Sequence, residues 1–267
     1  MKVAFWGTER ESGTTSNLMA LASYIACHSK RQVAMLQLEK ENRGLADYYS
    51  TRESTLVKEK NDYFVLEGLD YLLSVGKKRE LTSKLVAENM ESLIEEHLYC
   101  LTAGNRKLND YYPEETNRVM QQIITLLDKE VDFTFIDCGN RMDDWTMQMM
   151  READLVVVNL KQTAEAFDKF FLQHRNLAPK VIYLVGNYRK ESVYNKRNLQ
   201  RIYRIPKEKL AVMPVNQEFW QACEKGRLDK YMKGKRNPYA TEVRRYFMRE
   251  LGATMRILLE QINGSEE

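Results

Sequence analysis

The chain has 267 residues, 43% of them hydrophobic and 30% charged, with a net charge of +3. That balance belongs to a globular protein and excludes a disordered or fibrous one, and the length suits a single α/β domain spanning 1–267. No apolar run approaches the roughly 18–20 residues of a membrane-spanning helix, and so small a charge gives no argument by itself for a nucleic-acid partner. The first residues, Met1–Trp6, are a short apolar run that stops at Gly7. They lack the basic start, long apolar stretch and cleavage site of a signal peptide, so the chain is expected in the cytoplasm. Cys27, Cys100, Cys138 and Cys223 are far apart and His28, His97 and His174 have no ligand spacing; reduced, buried thiols are expected rather than disulfides or a metal site.

Short β-rich runs alternate with helical stretches. Strands are predicted at Lys2–Trp6, Val33–Leu38, Leu98–Thr102, Phe133–Asp137, Leu155–Leu160, Val181–Val185 and Leu210–Met213. Several are continuously apolar, as parallel strands covered on both faces must be. Helices are predicted at Thr14–His28, Pro113–Lys129, Ala164–Asn176 and Tyr194–Tyr203. The second of these starts at a proline with Glu114 and Glu115 in its first turn, and Val119, Ile123, Leu126 and Leu127 form its apolar stripe. Arg52–Asn61 is charged and weakly periodic and reads as a loop. Strand–helix–strand repetition predicts a doubly wound, mostly parallel sheet of about seven or eight strands with helices on both faces. No internal repeat and no linker interrupts it.

In such sheets ligands bind beyond the carboxyl ends of the strands. The first strand ends in Gly7-Thr8-Glu9-Arg10-Glu11-Ser12-Gly13-Thr14-Thr15-Ser16-Asn17 and then turns into helix. A glycine before a helix that opens on hydroxyl residues is the geometry of a phosphate cradle, where backbone N–H groups and the helix dipole favour an anion. An ordinary turn with a Thr/Ser cap explains the same residues equally well.

The residues Gly13-Thr14-Thr15-Ser16 resemble the end of the deviant Walker A loop, KGGxGKTT, of the ParA/MinD family of P-loop partitioning and positioning ATPases. Anchored on Gly13, the resemblance puts Thr14 at the family's phosphate-binding lysine and Glu9 at its signature lysine. Arg10 and Glu11 replace glycines, and Thr15 keeps the Mg²⁺-binding hydroxyl. The likeness continues along the chain. Gln37-Leu38-Glu39 stands where the family has an Asp-x-Asp pair. Glu67–Leu72, Leu101–Gly104, Val131–Gly139, Ala153–Val158, Val181–Tyr188, Leu210–Asn216 and Gln221–Gly226 resemble further family segments in order. The apolar strand that ends at Asp137 follows Walker B logic, a carboxylate holding Mg²⁺ through water.

The resemblance implies a nucleotide site for ATP or ADP with Mg²⁺. It would be built from Arg10, Ser12, Gly13, Thr14, Thr15 and Ser16 in the loop, Asn187 near the base, and Pro214 and Val215 beside the adenine. Thr15 and Asp137 would hold the metal, and Glu39 would serve water activation. With both lysines absent, ATP binding is expected to weaken and hydrolysis to slow further; Arg10 can replace part of the lost charge. Degenerate loops also occur in the TadZ/CpaE type, which helps place pilus-assembly machinery.

Three functions follow. One is an ATP-dependent homodimerising switch that positions or assembles a partner protein, with slow or absent hydrolysis. Another is a nucleotide-free scaffold, and the third is an active DNA-partitioning ATPase. Residues Glu224–Arg256 carry ten Lys/Arg against four acidic residues, interleaved with Tyr231, Tyr239, Tyr246 and Phe247. This is either a non-specific DNA surface or, as preferred here, the solvated face of a terminal helix packed through Val243, Phe247, Leu251, Ile257 and Leu258. Trp145 and Met147, after the Asp137 strand, suit either an interface or a helix core.

Overall fold

A computed structural model describes residues 1–29, 31–38, 44–50, 68–103, 113–174, 181–234 and 241–263. Its strands are β1 (Lys2–Gly7), β2 (Val33–Gln37), β3 (Glu91–Ile94), β4 (Leu98–Leu101), β5 (Phe133–Asp137), β6 (Leu155–Leu160), β7 (Val181–Tyr188) and β8 (Leu210–Pro214). Its α-helices are α1 (Thr14–His28), α2 (Gly68–Gly76), α3 (Ser83–Glu88), α4 (Pro113–Glu130), α5 (Asp144–Glu152), α6 (Ala164–Gln173), α7 (Lys196–Tyr203), α8 (Gln217–Glu224), α9 (Leu228–Lys233) and α10 (Glu242–Asn263). The sheet has eight strands in the order β3-β4-β2-β5-β1-β6-β7-β8. The pairs β2–β4, β1–β6, β6–β7 and β7–β8 are parallel, while β3–β4 is antiparallel. The fold is therefore the mostly parallel α/β sheet that the strand–helix alternation predicts.

Two compact units make up the chain: Met1–Lys2, Ile25–Ile136 and Phe219–Gly234 form one, and Val3–Tyr24, Asp137–Glu218 and Lys235–Glu267 the other. In the first, Val33–Leu36 of β2 and Leu98 and Leu101 of β4 are fully buried. Helix α4 buries Val119, Met120, Ile123, Ile124 and Leu127, while Leu126 is half-buried at the margin of the stripe. Strand β3 is absent from the sequence expectation. Of its four residues only Ile94 is buried, so it presents no apolar run, and an edge strand this short carries too little periodicity to read.

In the second unit, β1, β6 and β8 are buried along almost their whole length. Side-chain caps set the helix starts. Thr163 accepts the Ala166 N–H at 3.2 Å before α6, and Asn195 accepts the Asn198 N–H at 3.1 Å before α7. That second cap is why α7 begins at Lys196 rather than Tyr194. Helix α6 ends at Gln173, and residues 175–176 of the expected helix lie outside the described residues, as does Arg52–Asn61. Phe167 and Phe171 stack on Tyr203 with ring centroids 5.0 and 5.5 Å apart, locking α6 to α7.

Cys100, Cys138 and Cys223 are buried, Cys27 is half-buried, and all four are free thiols. No described helix is long and apolar enough to cross a membrane.

Helix α10 departs from its predicted packing in one respect. Phe247, Leu251 and Leu258 are buried, but Val243 is 53% exposed. It shares the i, i+4, i+8 track of Phe247 and Leu251 but lies in the first turn of α10, ahead of the buried residues. Replacing Leu251 by Ala is expected to cost about 2–5 kcal/mol of unfolding free energy. Val243→Lys is expected to change it by less than about 0.5 kcal/mol. Urea denaturation of the two variants measures the difference, and equal costs would return Val243 to the core.

Candidate functional site

The loop between β1 and α1 is seated by the register of β1 on β6, which sets Gly7 beside Asn159. The Thr8 N–H continues that pairing to Asn159 O at 3.3 Å. On the other side, the Gly7 N–H donates to Gly139 O at 2.8 Å and the Cys138 N–H to Phe5 O at 2.9 Å. The segment that follows β5 therefore runs beside the loop's first residues, and Asp137 comes with it.

The first turn of α1 meets that carboxylate. Thr15 Oγ1 donates to Asp137 Oδ2 at 2.7 Å, and the Gly139 N–H donates to Asp137 Oδ1 at 3.1 Å. Asp137 is 5% exposed, so its charge depends on such donors. Two residues that the sequence places in different motifs thus form one hydroxyl–carboxylate pair at a helix N-terminus. The N–H groups of that first turn have no intrahelical acceptor.

Beneath the loop lies a buried amide pair that the sequence reading missed. Asn17 Nδ2 donates to Asn159 Oδ1 at 2.8 Å. Asn159 Nδ2 in turn donates to the carbonyls of Trp6 and Val157, each at 3.2 Å. Both side chains are almost wholly enclosed. The signal was one polar residue inside the apolar run Leu155–Leu160. Gly186 is a second omission. A Cβ there would come within 2.6 Å of Ser12 O and 3.3 Å of Asn17 Nδ2, so the loop packs directly on the β7 backbone.

The loop interior is filled by its own hydroxyls. Ser12 Oγ and Thr14 Oγ1 are 3.1 Å apart and buried, and a Cβ on Gly7 would come within 2.2 and 2.3 Å of them. Gly13 has a φ of 86° and Glu11 one of 61°; the second is a left-handed conformation that costs a side-chain-bearing residue roughly 1–2 kcal/mol. Thr8 Oγ1 is buried and makes no hydrogen bond among the described residues.

Arg10 is exposed at the loop tip and enters no ion pair among the described residues. Ser16 is half-buried in the first turn of α1. Glu9 pairs with Lys161, just past β6, at 3.6 Å.

After β5 the chain is fixed by Trp6, whose Nε1 donates to Arg141 O at 2.7 Å. Asp143 caps α5 by accepting the Thr146 N–H at 2.9 Å and pairs with Arg141. Burial alone would raise the Asp143 carboxyl, but the Thr146 hydrogen bonds and the Arg141 guanidinium outweigh it and hold it below the usual aspartate range. Burial, reinforced by the charges of Asp137 and Asp143, pushes the Cys138 thiol far up, which leaves it protonated and unreactive. Trp145 and Met147 are half-buried; the exposed apolar residue here is Met142, at 40%.

Asn187, next to last in β7, is exposed, with a φ of 48°. Pro214 is buried opposite Tyr188, and Val215, 38% exposed, donates its N–H to Tyr188 O at 3.1 Å. These three form a second cluster at the ends of β7 and β8, adjoining Gly186. Gln37 belongs to the first unit, where its Oε1 accepts the Leu45 N–H at 3.1 Å. Glu39 lies outside the described residues.

No family model matches the chain, and no curated protein matches it. Solved structures match over nearly its whole length. A ParA family ATPase of Chlorobium tepidum superposes with a TM-score of 0.67 at 11% identity, covering 92% of this chain and 96% of that one. The chain has the fold of the ParA and MinD ATPases. A Borrelia burgdorferi protein assigned to plasmid partition, solved with AMPPNP, gives 0.66 at 12% identity and covers 98% and 99% of the two chains. Septum site-determining MinD of Pyrococcus horikoshii, solved with Mg-ADP, gives 0.61 at 12% identity and covers 97% and 98%. At these identities the likeness is one of fold. In this ParA/MinD-type sheet the strand order changes direction about β1, and the β1–α1 loop stands at the carboxyl end of that strand, where doubly wound sheets bind ligands.

Gly186 gives a direct test of the loop's seat. Gly186→Ala is expected to push the Ser12 backbone away and to lower stability by about 1–3 kcal/mol, the cost of overpacking. Thermal denaturation reads the loss, and an unchanged midpoint would mean that the loop does not rest on β7.

Proposed function

We propose that the chain is one nucleotide-binding domain whose β1–α1 loop takes the phosphates of ATP or ADP with Mg²⁺, and that it acts in the cytoplasm as a nucleotide-dependent switch. The observation that carries this reading is the 2.7 Å contact between Thr15 Oγ1 and Asp137 Oδ2 at the start of α1. A hydroxyl and a carboxylate side by side suit Mg²⁺, which takes oxygen ligands and commonly binds through one carboxylate, waters and substrate phosphates. The N–H groups of the α1 first turn, which lack an intrahelical acceptor, supply donors and a favourable dipole.

In this reading Ser12, Gly13, Thr14, Thr15 and Ser16 line the phosphates, with Arg10 at the tip. Asn187, Pro214 and Val215 take the base, Thr15 and Asp137 hold the metal, and Glu39 assists water. Bound Mg²⁺ would neutralise phosphate charge. The loop has neither lysine that would add to it, so hydrolysis is slow or absent. Nucleotide then acts by favouring one conformational state, a homodimer competent for a partner protein, over another. Work of this kind in partitioning or pilus assembly is consistent with the fold.

A specific observation favours the scaffold alternative. The Ser12 and Thr14 hydroxyls occupy the loop interior, and Glu9 and Glu11 bring negative charge to it. The active DNA-partitioning alternative needs free basic side chains. On α10, Arg249 lies over the Tyr246 ring at 5.0 Å and is partly engaged there.

Calorimetric titration separates these readings. The switch binds ATP with a Kd in the micromolar range or weaker, roughly −8 kcal/mol at best, and binding tightens with Mg²⁺. Asp137→Asn abolishes the Mg²⁺ effect without unfolding the chain. No heat and no thermal shift at millimolar ATP would leave the scaffold standing.

A further inference from the structure

Lys161 follows β6 by one residue, and Glu9 follows β1 by two. Because β1 and β6 pair in parallel with Gly7 beside Asn159, the same register carried two residues on sets Glu9 beside Lys161. Their side chains meet there, with Lys161 Nζ 3.6 Å from Glu9 Oε2. Within Gly7–Asn17 the charged residues are Glu9, Arg10 and Glu11, a net charge that opposes an anionic ligand. Lys161 offsets this charge, and unlike Arg10 it stands just past the end of a buried strand rather than at an exposed loop tip.

We propose that Lys161 is the cation that meets the terminal phosphate of a nucleotide held by this loop, and that Glu9 occupies the same ammonium when no nucleotide is bound. The inference rests on the nucleotide-binding reading above and names the residue that supplies charge to that site. Three features carry it. The first is position. The pair sits at the loop's entry, where the Thr8 N–H still follows the β6 register and the Lys161 carbonyl accepts the Thr163 N–H at 2.9 Å. The second is exchangeability. The two side chains are 36% and 37% exposed, and a solvent-screened pair of this kind is weak, so a multiply charged phosphate displaces the carboxylate readily. The third is chemical likeness. A carboxylate offers an ammonium the same anionic oxygens as a phosphate does, so Glu9 acts as an intramolecular competitor.

The competing account is that Lys161 only neutralises Glu9. A double-mutant cycle distinguishes the two, using ATP, ADP and Mg²⁺ as probes in calorimetry and thermal shift. Glu9→Gln is expected to tighten ATP binding about 3–10-fold by removing the competitor. Lys161→Ala is expected to weaken ATP binding about 10-fold or more, and to do so also in the Glu9→Gln background, with a smaller effect on ADP. Lys161→Arg is expected to restore most of the loss. Lys161→Gln gives the same reading should the alanine variant fold poorly.

If Lys161→Ala has no effect in the Glu9→Gln background while that protein binds ATP, Lys161 is only a neutraliser and the proposal is overturned. Equal losses for ATP and ADP overturn its assignment to the terminal phosphate. If neither the wild type nor Glu9→Gln binds any nucleotide, the nucleotide-binding reading fails together with it.

Discussion

The register of β1 on β6, fixed by one buried side chain, governs the candidate site. Asn159 is enclosed in an otherwise apolar strand, where an unmet amide would be costly. It meets its needs with Asn17 on α1 and with the carbonyls of Trp6 and Val157. One residue thereby ties the first helix, the first strand and the sixth strand together at the level where the loop leaves the sheet. Slipping β6 by one position would turn Asn159 away from Asn17 and break the amide pair. It would also move Lys161 away from Glu9. The bonds from Gly7 to Gly139 and from Thr15 to Asp137 then bring the β5 carboxylate to the same place.

In the proposed reading this loop is a phosphate cradle in backbone terms with altered charge. The helix N-terminus, the hydroxyl–carboxylate pair and the close packing on Gly186 all remain. The loop's own side chains have turned inward, with the Ser12 and Thr14 hydroxyls against Gly7. Its positive charge comes from Arg10 at the tip, with Lys161 just past the end of β6 beside it. Such a site can bind an anion through dipoles and a metal while giving little help to the charge that develops during phosphoryl transfer. Binding and turnover are separable properties, and the proposed switch relies on the first.

Much of the fold was legible because parallel strands buried on both faces must be continuously apolar. Phe133–Asp137 and Leu155–Leu160 were read to the residue, as was α1. What escaped was set by other forces. Strand β3 has only Ile94 to bury. The start of α7 depends on a single Asn195 cap. Val243 has the right chemistry and the right helical phase for the core, yet it stands in the first turn of α10 and stays exposed. Of the site, Gly13, Thr15 and Asp137 could be named from motif order along the chain. The pairing of Glu9 with Lys161 and of Asn17 with Asn159 could not, since each joins residues more than 140 positions apart through a strand register that no local pattern encodes. Glu39 and Gln37 were named together because they flank one strand end, yet Gln37 is committed to the Leu45 backbone.

Amide hydrogen exchange of the full chain, with and without ATP and Mg²⁺, tests the central claim most directly, because it reports which backbone N–H groups a ligand covers. The account predicts slowed exchange at residues 9–17 and at 137–141, with Mg²⁺ required for the full effect, and with little change in β3 and β4. Protection confined to other segments, or none in the β1–α1 loop at saturating nucleotide, would contradict it.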